Sequence, residues 1–187
     1  QSPPLPRAPL AGLFENGPNG PLPIVAANGR TPAQAYARPF TPQQGRPKLA
    51  IVIGGLGFNA TATTQAIDEL PAEITLSFVP YTQNLQSWID RARARGHEVM
   101  LELPMEPFDP DADDTGPQTL LASANAQQNV SRLEQLLSRH GLFRRHQLPR
   151  RALRHLGAGL GADRASVAPA WTRFHLVRHW TAHGAQC

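Results

Sequence analysis

Residues Lys48–Ala60 read KLAIVIGGLGFNA, an apolar run that enters a glycine-rich turn and leaves it on residues suited to a helix. The run from Leu49 is short and β-branched, which predicts a strand buried on both faces of a parallel sheet. The purpose of the turn decides fold and function together. Gly55, Gly57 and Ala60 fit G-x-G-x-x-A, the spacing by which backbone amides at a strand-to-helix turn approach a pyrophosphate. That chemistry also needs an acid at the end of the next strand to hold the ribose hydroxyls. The next strand ends LSFVPYTQ, without one, so a dinucleotide-binding oxidoreductase is the weaker reading.

Working outward, NATATTQAIDEL predicts a helix that opens on Asn59 or Thr61 and stops at Pro71. EITLSFVP is a second strand. NLQSWIDRARARG is a second helix, with Leu85, Trp88, Ile89 and Ala92 at helical spacing and Gly96 as its stop. HEVMLELP is a third strand, followed by the proline- and aspartate-rich loop MEPFDPDADDTGPQTLL. NAQQNVSRLEQLLSRHG is a third helix, with Val130, Leu133, Leu136 and Leu137 on one face. This alternation builds βαβ units and a parallel sheet, whose ligands lie outside the carboxyl ends of the strands. Gly54–Gly57, Pro80–Tyr81 and Glu102–Glu106 therefore belong to one rim.

Upstream, residues 1–47 are rich in Pro, Gly, Ala and Asn, a composition that offsets little chain entropy and reads as a linker or surface arm. An Asn28-Gly29 turn and two aromatics, Tyr36 and Phe40, favour an arm resting on the domain. No run reaches the roughly 18 apolar residues of a membrane span, while the start at Gln1 leaves a signal or membrane anchor upstream open. Cys187 is the single cysteine, which excludes an internal disulfide and a cysteine metal cage. The net charge of +4 conceals two different compositions. Residues 1–139 carry 10 Lys/Arg against 13 Asp/Glu, whereas residues 140–187 carry 8 Arg, the one acid Asp163 and six of the seven histidines.

IVIGGLG, ITLSFVPY, ARARGHEVMLELPMEPFD and DTGPQTLL, in this order, resemble the divergent polysaccharide deacetylase family from Lys48 to about Arg139. A weaker echo lies in GPLPIVAANGRTPAQAYARPF. The resemblance implies an α/β fold, a partial NodB-like distorted (β/α) barrel with parallel strands, preceded by the irregular arm. It also implies a cell-envelope setting, periplasmic or anchored in the inner membrane facing the periplasm. The partner it implies is a polysaccharide or peptidoglycan-type glycan, with no nucleic acid. In the family's ordinary form the first strand ends Ile-Asp-Asp-Leu-Gly, with acids for a divalent metal and for general-base work. Gly54 and Gly55 stand at those positions here, and Glu102 stands where the family has a histidine before LPMEP. The rim thus resembles a deacetylase site stripped of its acids, and neither metal nor cofactor is expected. Glu102 and Glu106 remain the candidate catalytic carboxylates, with Gly54, Gly55, Tyr81, Pro104 and Met105 as the substrate rim. The structural alternative has Glu106 capping amides of the long loop and Glu102 in a salt bridge. His97 reads as a hydrogen-bonded structural residue. DPDADD lacks the Gly and final Glu of a calcium loop and reads as solvated.

After the third helix the family continues with a strand like G-Y-x-G-V-x-N-x-x-G-A-R-F, but this chain reads HGLFRRHQLPRRALRHLGAG. Its arginines suit an anionic partner, and His175, His179 and His183 fall at metal-binding helical spacing. A shifted reading frame accounts for more. Allowed codons for His140–Ala158, read one base later, spell T-G-Y-F-G-V-T-N-Y-L-G-A-R-F-A-T-S-E. Continuing through Gly159–Gln186, they give R-A-L-A-P-I-V-L-A-L-R-R-R-G-L-A-F-T-L-F-D-T-G, a helix and then a strand. On this reading residues 140–187 are an out-of-frame tail without evolved function. A barrel lacking its remaining strands is then expected to expose a hydrophobic edge and to fold poorly.

Overall fold

The computed structural model describes residues 2–41, 43–45, 47–107 and 114–138. The basic tail, with His175, His179 and His183, and most of DPDADD lie outside the described residues.

The elements follow in the order β1 (Phe14–Gly17), β2 (Gly20–Pro23), α1 (Pro32–Ala35), β3 (Val52–Leu56), α2 (Ala60–Glu69), β4 (Thr75–Phe78), α3 (Leu85–Ala94), β5 (Val99–Leu101) and α4 (Ala126–Ser138). β3, β4 and β5 form a parallel sheet in that spatial order. With its helices it makes the mixed α/β arrangement of a partial NodB-like fold. The helices form where the spacing predicts. Asn59 caps α2 by accepting from the Ala62 N–H, and Thr63, Ala66 and Ile67 are its buried face. Leu85, Ile89 and Ala92 bury one face of α3, and Gly96 ends the segment at a φ of +91°, a conformation other residues reach only with strain. Asn125 and Gln128 bond each other's backbone N–H ahead of α4, which buries Leu133, Leu136 and Leu137.

The strand expected to be buried on both faces is not β3. β4 lies between two neighbours, and Leu76, Ser77 and Phe78 are all buried. β3 is an edge strand among the described residues, and Ile51 and Val52 are exposed beside Leu49. The apolar run is the stronger one at β3, whereas β4 carries Thr75 and Ser77. Burial differs because it depends on whether a neighbour stands alongside.

Part of residues 1–47 is built into the core. β1 and β2 pair as an antiparallel hairpin, and Leu5, Ala8, Leu13, Leu22, Ala35 and Tyr36 are buried. Composition misleads here because a few well-placed apolar residues suffice when a finished surface receives them. Arg93 on α3 is the main anchor. It is 3% exposed, its Nε donates to the Pro6 carbonyl at 2.6 Å, and its guanidinium lies 5.4 Å from the Tyr36 ring centroid. The Tyr36 hydroxyl in turn accepts from the Leu10 N–H at 2.7 Å. The arm closes on itself at Gly96, whose carbonyl accepts from Arg38 Nη1 at 3.0 Å while Arg38 Nη2 donates to Ser2 Oγ at 3.1 Å. The Arg38 N–H adds a 2.6 Å bond to the Glu98 carboxylate.

His97 joins the end of α2 to the entry of β4. Its ring is fully buried, with Nδ1 2.9 Å from the Ile74 carbonyl and Nε2 3.1 Å from the Ile67 carbonyl. It is a structural residue.

Candidate functional site

The rim is set by a break in the ladder. Ile53 pairs with Leu76 and Leu56 with Phe78, so β3 advances three residues while β4 advances two. The surplus is a β-bulge at Gly54–Gly55, and Gly55 takes a φ of +74°. A bulge leaves one amide without a ladder partner. Here the Gly55 N–H donates to Glu102 Oε1 at 2.6 Å, across 47 residues of sequence. The same carboxylate oxygen sits 3.0 Å from where a Cβ on Gly54 would lie. Glycine at 54 and a glutamate at 102 folded onto the turn therefore fit each other. Glu102 reaches this place because its own N–H continues the β4–β5 ladder, donating to the Phe78 carbonyl at 2.8 Å.

Gly57 has a separate cause. Its φ is +107°, and a Cβ there would lie 2.0 Å from Thr82 Oγ1 and 2.6 Å from Thr82 Cγ2. Thr82 is buried, and its hydroxyl has no hydrogen-bond partner among the described residues. The Gly57 N–H donates to Thr63 Oγ1 at 2.9 Å. Both glycines of G-x-G-x-x-A thus have causes within the fold, Gly55 in the positive φ of the bulge and Gly57 in its packing on Thr82. A carboxylate also stands on the amide that a pyrophosphate would have to meet. The geometry opposes a dinucleotide at this turn.

The remaining rim candidates hold the loop that follows. Tyr81 stacks on Gly116, where a Cβ would lie 2.4 Å from Tyr81 Cε2, and its hydroxyl accepts from the Gln118 N–H at 3.1 Å. Met105 bridges Leu120 in parallel, with the Leu120 N–H donating to the Pro104 carbonyl at 2.9 Å. Asp114 accepts from the Gly116 N–H, Thr119 Oγ1 donates to the Gly116 carbonyl, and buried Asn129 brackets the backbone of Leu121 through both ends of its amide. The residues of DTGPQTLL are therefore spent on docking the loop. Glu106 belongs to this group, since its Oε2 accepts from the Ala122 N–H.

Glu102 and Glu106, the paired candidates, are thus engaged with different backbone amides. Glu106 takes the capping role of the structural alternative. Glu102 bonds the Gly55 amide instead of the salt bridge proposed for it, because the bulge offers an unpaired N–H at closer reach. Phe58 and Thr82 were missed by sequence reasoning. Phe58 stands 76% exposed directly after the turn, and an aromatic in that position was the available signal. Nothing in the sequence marks Thr82.

The divalent metal that the resemblance implies does not fit these residues. Gly54 and Gly55 supply no donor, and one oxygen of Glu102 is committed to an amide. Among the described residues no three His, Cys, Asp or Glu side chains come together as a metal-binding group.

Residues 51–143, about half of the chain, match the family described as divergent polysaccharide deacetylase. A crystal structure of an uncharacterized protein from Agrobacterium tumefaciens C58 superposes with a TM-score of 0.61 at 42% identity, covering 65% of this chain and 49% of that one. The chain thus spans about half the length of that relative. No curated protein matches the chain. Residues 51–143 belong to the divergent polysaccharide deacetylase family.

Proposed function

We propose that this chain is a carbohydrate-directed protein of the cell envelope that holds a glycan on its strand-end rim without metal-dependent removal of acetyl groups. The partner is a polysaccharide or peptidoglycan-type glycan on the periplasmic side of the inner membrane. The observation that carries this reading is the Gly54–Gly55 bulge with Glu102 bonded to its free amide. A rim whose carboxylate is used to stabilise a turn offers a fixed polar edge rather than a metal ligand or a mobile base. Beside it, exposed Phe58 and Met105 provide apolar surface for the C–H face of a sugar ring, the usual complement to a few oriented hydrogen bonds. Family membership supports the glycan.

The test is titration with N-acetylated glycan fragments, following binding by calorimetry and acetate release in parallel, with and without added zinc. The expected result is saturable binding, indifferent to chelator, with no acetate released. Phe58→Ala should weaken binding about tenfold, or ~1.4 kcal/mol. Zinc-dependent acetate release that Glu102→Ala abolishes would overturn the non-catalytic reading. Failure to bind any acetylated glycan would overturn the carbohydrate reading itself.

A further inference from the structure

We infer that Asn28 is a modification site at which the folded chain alters itself: the Gly29 backbone nitrogen displaces the side-chain ammonia of Asn28, and water then opens the resulting ring.

The step balances with water as its one co-reactant. The Gly29 nitrogen bonds to Asn28 Cγ, the Cγ–Nδ2 bond breaks, and ammonia leaves with the proton that the Gly29 nitrogen gives up. The product is a five-membered succinimide. Water opening it at Cγ leaves aspartate, and opening at the main-chain carbonyl carbon leaves isoaspartate, whose chain runs on through Cγ. Glycine suits the attacking position because no Cβ shields its nitrogen or limits the rotation that brings it to Cγ.

Asn-Gly occurs three times in the arm, at 16–17, 19–20 and 28–29, and all three asparagines are exposed. Sequence and exposure therefore do not choose between them, and backbone freedom does. Asn16 and Gly17 lie in β1, paired with Pro21 and Gly20 of β2, and a Cβ on Gly17 would lie 2.6 Å from Leu22 Cδ1. Gly20 opens β2 against the end of α4, where its Cβ would lie 2.8 Å from the Ser138 carbonyl oxygen. Rotating either peptide disturbs the hairpin and what packs on it. Gly29 has nothing within 4 Å of its Cβ position. Its turn is closed by the Gly29 N–H on the Ala26 carbonyl at 2.8 Å and the Ala26 N–H on the Arg30 carbonyl at 2.9 Å, and the first of these is the bond the attack must open. The Arg30 N–H also donates to Asn28 Oδ1 at 3.0 Å. A donor thus already stands on the oxygen that gains negative charge as the nitrogen adds.

The change falls on the fastening of the arm. Isoaspartate lengthens the main chain inside the loop that Ala26 and Arg30 close, just ahead of Thr31, which caps α1. Tyr36, at the other end of α1, holds the Leu10 N–H.

The test keeps the full chain folded at mildly alkaline pH and follows each Asn-Gly peptide by digestion and mass spectrometry, with the same chain in urea as reference. In the folded chain, conversion at Asn28 is expected to outpace that at Asn16 and Asn19 by at least about tenfold, and in urea the three should converge. Asn16 or Asn19 converting as fast as Asn28 in the folded chain would overturn the inference. So would an Asn28 that converts in urea and is preserved in the folded chain, because the turn would then protect it. Gly29→Ala meets no neighbouring atom and should slow Asn28 by about tenfold or more while Asn16 and Asn19 keep their rates. An unchanged Asn28 rate in that variant would mean direct attack by water, and the proposed step would fall. No glycan enters these measurements, so this inference and the carbohydrate reading stand or fall separately.

Discussion

Replacing Gly57 with alanine tests whether the glycine turn is shaped by packing. The φ of +107° is strained for any residue with a Cβ, at about 1–2 kcal/mol. The new methyl would also lie 2.0 Å from Thr82 Oγ1, far inside contact distance, against a side chain that is buried and cannot swing into solvent. Relieving such a clash in a packed interior costs about 1–3 kcal/mol more. The sum, about 3 kcal/mol, is a large fraction of the stability of an ordinary domain. In urea it corresponds to a midpoint lowered by about 1–2 M. Thr82→Ala removes the two nearest atoms and leaves its own Cβ 2.8 Å away, so the double variant should regain part of the loss and keep the backbone strain. Because the Thr82 hydroxyl has no partner among the described residues, the single Thr82→Ala change should cost little. Equilibrium denaturation of the four proteins gives a coupling of about 1–2 kcal/mol. A Gly57→Ala variant within about 0.5 kcal/mol of the parent would refute the reasoning. So would full additivity with Thr82→Ala, since Thr82 would then not be what excludes a side chain at 57.

Two further outcomes follow from buried polar groups. His97→Leu should destabilise the fold by about 1–3 kcal/mol in chemical denaturation, because whichever of the Ile74 and Ile67 carbonyls accepts the ring N–H is left buried without its donor; a loss below about 0.5 kcal/mol would remove the ring from its structural role. Burial raises the ionisation of Tyr36 above the ordinary phenol range, against smaller pulls downward from the Leu10 N–H and the Arg93 cation. Folding then favours the protonated phenol, so this contribution is complete below a pH of about 10 and is lost as pH rises through the raised value. Tyr36→Phe should flatten that alkaline loss while lowering stability at neutral pH, where the Leu10 N–H goes unpaired; an unchanged slope in alkaline denaturation would exclude Tyr36 as its source.

Periodic spacing carried the helices, because Leu85, Ile89 and Ala92 or Leu133, Leu136 and Leu137 reveal a face without knowledge of what meets it. The convergence of three strand ends on one rim followed from the same local logic. Contacts between distant segments were not legible. Nothing near Glu102 names Gly55, 47 residues away, and nothing near Arg93 names Pro6, 87 residues away. The bulge depends on a register that only two paired strands define. The exposure of Val52 depends on there being no neighbouring strand on that side among the described residues, which no strand can report about itself. The burial of the arm was hidden for a related reason, since its composition describes its isolated behaviour and its burial is conferred by α3, the turn after it and α4.

That last dependence has a consequence for synthesis. Arg38 closes the arm at Gly96 and Glu98 and Pro6 is held by Arg93, so the contacts that fix it reach 58 to 87 residues ahead in the chain. A ribosome releases the arm well before it has made α3 or β5. During that interval the arm has no surface to join, and an apolar-rich segment of the same length would be free to collapse or aggregate. Its prolines, glycines and sparse anchors suit a segment that must wait. The linker-like composition describes the arm while it is being made, and Tyr36, Leu5 and Leu13 describe where it goes once the anchor has emerged.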